Sequence, residues 1–448
     1  MHALLTDRYE LAMLGAYLRE GIAERRGVFE LCVRQLPPSR RFLVVAGIER
    51  ALGYLQELSF TEEELAYLQS ASGLAEVMTD AMVTYLREFR FRGDLDVVPE
   101  GEVVFEGEPL LRVEGSLAEG QLVETFLLGA LNAETRVASK AARVVLAAQG
   151  RSVLEFGARR VDPLSAPWAA RAAYLAGCAG TSCEAAGMAF GVPVSGTCAH
   201  SYVLAHVDDG EEAAFRRFAE AFPGGTALLI DTFDTRRGAL RAAGAGASVR
   251  AVRIDSGDLL TLGQDARRIL DAAGRADVRL VASDDLDEHR IAELVAAGAP
   301  YDAFGVGTAI TLTPDAPSLG AIYKLVEIDD RRGVRVPVGK RSPGKASFGG
   351  SKQVFRRYEA GRAVEDLVAR SDEDLSSVGS PLLVPVLRRG KLVRDRSDPR
   401  AVTREARERC QRALQALPEA CLGRDPEARE RYPVTVTEAL RRLDTTDG

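Results

Sequence analysis

The chain has 448 residues, 46% of them hydrophobic and 27% charged, with a formal net charge of −7. This length predicts two or three domains and a sizeable core. The acidic balance argues against a nucleic-acid backbone as main partner and leaves a small anionic ligand, held by a local basic cluster, as the open possibility.

No run approaches the roughly 18 apolar residues of a membrane helix. The N-terminus lacks the charged lead and apolar segment of a signal peptide, so a cytoplasmic protein is expected. The six cysteines form no CxxC pair; they read as buried free thiols, and no metal site is expected among them.

In chain order, "TDRYELAMLGAYLREG" reads as an amphipathic helix behind a Thr6/Asp7 cap. "GVFELCVRQLP" reads as a strand, and "LDVVPEGEVVFEGEPLLRVEG" as a meander turning at Gly101, Gly107 and Gly115. Six apolar runs follow with polar or glycine-rich tips: "SVLEFGARR", "VPVSGTCAH", "TALLIDTFD", "VRAVRIDSGD", "VRLVASDD" and "YDAFGVGT". Between the later ones lie stretches with apolar residues at helical spacing. This alternation predicts a parallel sheet covered on both faces, either doubly wound or closed into a barrel. Residues 319–400 return to short strands and basic turns, including "GKRSPGKASFGGSKQVFRR", and the chain beyond about 400 is charged and helical. The expected domains are an N-terminal α/β domain over 1–130 completed by 330–400, a β/α barrel over 131–329, and a helical appendage over 401–448.

In either closure the ligand sits at the carboxyl ends of the strands. The polar residues gather there: Arg159, Arg160, His200, Asp231, Asp234, Asp255, Asp258, Asp284 and Asp285. Helix capping accounts well for Asp234, Asp258 and Asp287. It accounts poorly for Asp231 and Asp255, which end their strands, and carboxylates there can hold Mg²⁺ or ribose hydroxyls. "FGVGT" suits a phosphate, although such turns are common. "EFGARR" offers an arginine fork beside an aromatic ring, or simply a surface pair and a core Phe. His200 would by itself read as a core histidine.

Taken in order, "LLTDRYELAM", "VFELCVR", "LEFGARR", "GTS", "PVSGTCAHSYV", "IDTFD", "RIDSGDL", "SDDLDE", "DAFGVGT" and "GK…GGSKQV" make the chain similar to nicotinate phosphoribosyltransferases from about Leu4 to Phe355. The resemblance implies an incomplete phosphoribosyltransferase-type barrel with an N-terminal α/β domain. It implies condensation of nicotinate with phosphoribosyl pyrophosphate (PRPP), Mg²⁺, coupling to ATP hydrolysis, and a homodimer with shared sites. Carried over by position, Tyr9 of the partner subunit and Phe156 would sandwich the pyridine ring. Arg159, Ser182 and Arg253 would line its pocket, and Arg34 would reach the pyrophosphate across the interface. Asp284 would bind the ribose, Gly305 and Gly307 the 5′-phosphate, with Lys140 a weaker candidate. His200 would accept phosphate from ATP, with Asp231 and Asp255 beside it. An imidazole suits that role, being a good phosphoryl acceptor near neutral pH.

Two departures stand out. Cys198 occupies a position that is histidine in many members, and "SFGGSKQV" replaces a "PGRKQV" turn. Ser182 argues against nicotinamide as the base, since a hydroxyl can donate to a carboxylate. Quinolinate would want a denser basic pocket, and a catalytically idle nucleotide-binding barrel is the alternative outside enzymes.

Overall fold

The computed structural model describes residues 3–71, 73–74, 76–339, 348–422 and 431–443. Part of the "GK…GGSKQV" segment therefore lies outside the described residues. The chain divides into two compact units. One comprises Met1–Arg136, Ala316–Asp398 and Glu408–Gly448; the other comprises Val137–Asp315 and Pro399–Arg407.

The first unit is built on an antiparallel sheet in the order Arg335–Pro337, Ala321–Asp329, Arg26–Val33, Pro109–Ser116, Asp94–Val97, Val384–Arg388, Lys391–Leu392. Phe29, Leu31 and Val33 alternate into one core with Leu11 and Leu14 of the first helix, Arg8–Glu20. The returning chain thus supplies a neighbour for the central strand Arg26–Val33, and it does so from residue 316 rather than 330. A second sheet runs Ser380–Pro381, Lys352–Glu359, Arg362–Arg370, Val434–Val436.

Three expectations need correction here. The tail beyond 400 is no appendage: Val434–Val436 pairs in parallel with Arg362–Arg370, Tyr432 Oη donates to Asp366 Oδ1 at 3.1 Å, and Leu440 is fully buried. Asp7 holds the N-cap position, but its carboxylate does not cap; it accepts from Thr125 Oγ1 at 3.0 Å, while the Thr6 hydroxyl bonds Glu10. Gly115 lies inside the strand Pro109–Ser116, whereas Gly101 and Gly107 do turn, with φ of 86° and 83°.

The second unit carries a six-stranded, all-parallel sheet curled into a half-barrel. Its order is Gly180–Thr181, Ser152–Glu155, Ala303–Val306, Arg279–Ala282, Val249–Ile254, Thr226–Leu229. Asp234, Asp258 and Asp287 cap the helices Thr235–Gly244, Leu259–Ala272 and Glu288–Ala296, as capping chemistry predicts. The run at 192–200 is not a strand. Pro193 lacks a ladder donor, and only Val194 bridges Thr181. The segment instead spans the sheet's open side. Ser195 N donates to Thr181 O at 2.9 Å on one edge, and Leu229 N donates to Cys198 Sγ at 3.3 Å on the other.

Candidate active site

The turns after the first two strands of this unit are fixed by one buried carboxylate. Glu155 accepts from Thr181 Oγ1 at 2.6 Å and from the backbone N–H of Gly157, and its main-chain oxygen accepts from Ser182 N at 3.0 Å. Burial pushes the Glu155 carboxyl up, and these donors act against that shift. Its bonds set the backbone that presents Phe156 and Ser182.

Phe156 lies over the backbone of Gly305. A Cβ at Gly305 would stand 2.5 Å from the ring, so no other residue fits there without moving Phe156. The Arg253 guanidinium carbon lies 5.7 Å from the same ring's centroid, within cation–π range. Arg253 leaves the end of Val249–Ile254 and is gripped from three sides. Nε donates to Ser283 Oγ at 2.7 Å, Nη1 to Thr197 Oγ1 at 3.1 Å, and Nη2 to Asp255 Oδ1 at 2.6 Å. Ser283 also donates to Asp255 Oδ1. A guanidinium has five N–H donors, so one remains on each Nη.

Asp231 and Asp255, left over by capping, meet here. Asp231 Oδ2 accepts from Asp255 N at 2.9 Å and from Ser256 Oγ at 2.6 Å. Asp231 Oδ1 is buried with no hydrogen-bond partner among the described residues. Asp284 follows its strand at φ 104°, a conformation that costs a non-glycine residue strain. Burial first, then the charges of Asp255, Asp285 and Asp231, push its carboxyl up. His200 opens the helix His200–Leu204 and is half-buried; its Nδ1 lies 3.1 Å from Thr232 Oγ1, beside Asp231.

The structure thus brings together Phe156, Ser182, His200, Asp231, Arg253, Asp255, Asp284, Gly305 and Gly307 at the carboxyl end of one sheet. Gly307 caps the short helix Thr308–Leu312. Arg159 is solvent-exposed in the turn after Phe156. Lys140 does not join the group. Its Nζ sits 2.5 Å from Glu288 and 3.0 Å from Asp315, with its side chain 3% exposed, so its charge is committed to buried ion pairs. Tyr9 and Arg34 belong to the other unit, where Tyr9 is 45% exposed and Arg34 Nε is buried without a partner among the described residues. Sequence reasoning missed Thr197, Thr232, Ser283 and Glu155. Thr197, Thr232 and Ser283 adjoin recognised tips, but nothing in their spacing says that they hold Arg253 and His200.

Two family models match the chain. The nicotinate phosphoribosyltransferase (NAPRTase) N-terminal domain covers residues 4–132, and the nicotinate phosphoribosyltransferase (NAPRTase) family covers residues 152–331. The chain belongs to the nicotinate phosphoribosyltransferase family. Among its relatives, nicotinate phosphoribosyltransferase pncB1 of Mycobacterium tuberculosis is 45% identical over 404 residues, spanning 88% of this chain and 87% of that one. The nicotinate phosphoribosyltransferase of Bacillus subtilis is 42% identical over 363 residues, 79% of this chain and 73% of that one. The crystal structure of human nicotinic acid phosphoribosyltransferase superposes with a TM-score of 0.82 at 27% identity, covering 98% of both chains. A nicotinate-nucleotide pyrophosphorylase from Pyrococcus furiosus superposes at 0.74 and 26% identity, covering 92% of this chain and 96% of that one.

Proposed function

We infer that this chain is a nicotinate phosphoribosyltransferase, joining nicotinate to PRPP to give nicotinate mononucleotide and pyrophosphate. The observation that carries the reading is Arg253, held against Phe156 with two N–H groups uncommitted: a flat ring surface with an anion fork beside it.

In the reaction the pyridine nitrogen attacks the ribose anomeric carbon as the bond to pyrophosphate breaks. The electron pair of that bond leaves on the pyrophosphate oxygen. Positive charge grows on the ribose, as at other glycosidic centres. Asp231, Asp255 and Asp284 place carboxylates to stabilise it and to hold the ribose hydroxyls. Phe156 and Arg253 orient the base, and Ser182 can donate to its carboxylate. Gly307, at the head of the helix Thr308–Leu312, takes the 5′-phosphate; Gly305, inside the strand Ala303–Val306 beneath Phe156, serves that ring instead, and Arg159 stands exposed in the turn after Phe156. The buried Asp231 Oδ1, which has no hydrogen-bond partner among the described residues, and the neighbouring Asp255 carboxylate would hold a Mg²⁺ ion, which would supply positive charge for the leaving pyrophosphate.

ATP coupling runs through His200 in this reading. Thr232 engages Nδ1 and leaves Nε2 to accept the phosphoryl group. Tyr9 and Arg34 act from the partner subunit of a homodimer, which the exposed Tyr9 ring favours. The test is pyrophosphate release from PRPP with nicotinate, nicotinamide or quinolinate. Turnover with nicotinate supports the reading, and preference for either other base overturns it.

A further inference from the structure

Among the described residues six non-glycines hold a positive φ, and three of them adjoin the two acids that face Lys140. Asp284 and Asp285, at φ 104° and 42°, lie in the turn between the strand Arg279–Ala282 and the helix Glu288–Ala296. Thr313, at φ 47°, closes the helix Thr308–Leu312 two residues before Asp315. A β-branched residue in that region is a steric outlier, and such backbone persists only where its surroundings over-determine it. The surroundings here are four charges within the second unit. Lys140 and Arg143 stand one turn apart on the helix Glu124–Ala147. Lys140 Nζ lies 2.5 Å from Glu288 Oε2 and 3.0 Å from Asp315 Oδ1. Arg143 Nη2 lies 2.9 Å from Glu288 Oε1, and its Nη1 lies 3.3 Å from Asp315 Oδ2. Each cation therefore touches both carboxylates.

We propose that Lys140 is a positioning residue for PRPP: through Glu288 and Asp315 it holds the ribose turn at Asp284 and the 5′-phosphate turn at Gly307 at a fixed spacing. This rests on the roles given above to Asp284 and Gly307. The two turns leave neighbouring parallel strands, Arg279–Ala282 and Ala303–Val306, so they stand side by side. Glu288 lies four residues past Asp284, with Leu286 buried between them and Asp287 capping the helix. Asp315 lies just beyond the short helix that Gly307 heads. Two positive and two negative charges cancel, so the cluster offers a phosphate no net attraction, and what it fixes is position. Without Lys140, two largely buried carboxylates would share Arg143 alone. Removing one partner from a buried ion network is costly, and the two like charges would part. The Asp284 turn would then relax toward unstrained backbone and lose its fit to the ribose. The base pocket has anchors outside this turn, since Arg253 is also held by Thr197 and Asp255, and Phe156 by the backbone that Glu155 fixes.

The test measures KM for PRPP, KM for nicotinate and kcat in wild type, Lys140→Met, Glu288→Gln and the double variant. Release of one strained residue corresponds to about tenfold in affinity. The expected result is a PRPP KM raised about tenfold in each single variant, with a clearly smaller change in nicotinate KM. The double variant should show no more than the larger single effect, because both substitutions break the same link. Should Lys140→Met fail to fold, Glu288→Gln breaks the pair from the other side, leaves Asp315 with both cations, and gives the same reading. An unchanged PRPP KM in a folded single variant would overturn the proposal and reduce Lys140 to a stabilising residue. Equal rises in both KM values would also overturn it, as general loosening of the unit. Additive effects in the double variant would show that Lys140 does not act through Glu288, and would overturn the proposal as well. A wild type that does not turn over PRPP would overturn the reading of Asp284 and Gly307 itself, and this inference with it.

Discussion

The guanidinium of Arg253 stands 5.7 Å from the centre of the Phe156 ring and is held there by Ser283, Thr197 and Asp255. A lysine at 253 would keep the charge and lose the planar fork. Arg253→Lys should lower kcat/KM for nicotinate by about 10- to 100-fold, the cost of losing hydrogen bonds to a charged group. An unchanged kcat/KM would remove Arg253 from the base pocket.

Gly305 gives Phe156 its place. Since a Cβ there would come within 2.5 Å of the ring, Gly305→Ala should push Phe156 out of the pocket. Overpacking of this kind costs about 1–3 kcal/mol, so the protein should still fold with a lowered Tm while its nicotinate KM rises severalfold. An unaltered KM with a lowered Tm would mean that the ring does not touch the base.

Much of this site was legible before the structure, and the reason is chemical. A strand tip with an aspartate that no helix needs for capping is conspicuous, and Asp231 and Asp255 meet as that argument expected. The three capping aspartates also behave as their positions dictate. What the sequence hid is side-chain direction at long range. Lys140 faces its own ion pairs with Glu288 and Asp315. The run 192–200 has a strand's composition, yet Pro193 and Gly196 leave it as a strap across the half-barrel's open side. The charged tail concealed a short strand that pairs only because Arg362–Arg370 offers it an edge.

Asp284 should impose a measurable pH dependence. Its carboxyl is pushed up by burial and by Asp255, Asp285 and Asp231, and in the function proposed for it the ionised form holds the ribose hydroxyls. The acid limb of kcat/KM should therefore lie above the ordinary carboxylate range. Removing one of the charges that raise it, with Asp285→Asn, should move that limb to lower pH. A limb that stays put in the variant would assign it to another group.

A second pH effect belongs to stability. Burial raises Glu10 from 4.5 to about 7, against the hydrogen bonds from Thr125 and Thr6. A carboxyl whose folded pKa is raised stabilises the fold fully below its unfolded pKa, and this is lost as pH rises through the folded one. Unfolding free energy should fall between about pH 4.5 and 7 through this group. Glu10→Gln should flatten that part of the profile in denaturant titrations, and an unchanged slope would contradict the assignment.

Sharing of sites between subunits is tested by mixing. Tyr9→Ala and His200→Ala variants, each impaired alone, should complement when refolded together. Random pairing places one intact site in each heterodimer, giving about a quarter of the wild-type sites. Activity no greater than the mean of the two parents would show that Tyr9 serves its own chain or none.

The most direct measurement is the initial rate of nicotinate mononucleotide formation from nicotinate and PRPP, with and without ATP, in wild type and His200→Ala. The account predicts product in the wild type, a rate raised by ATP, and a slower His200→Ala enzyme that ATP does not stimulate. Absence of product from nicotinate would contradict it, as would ATP stimulation that survives the loss of His200.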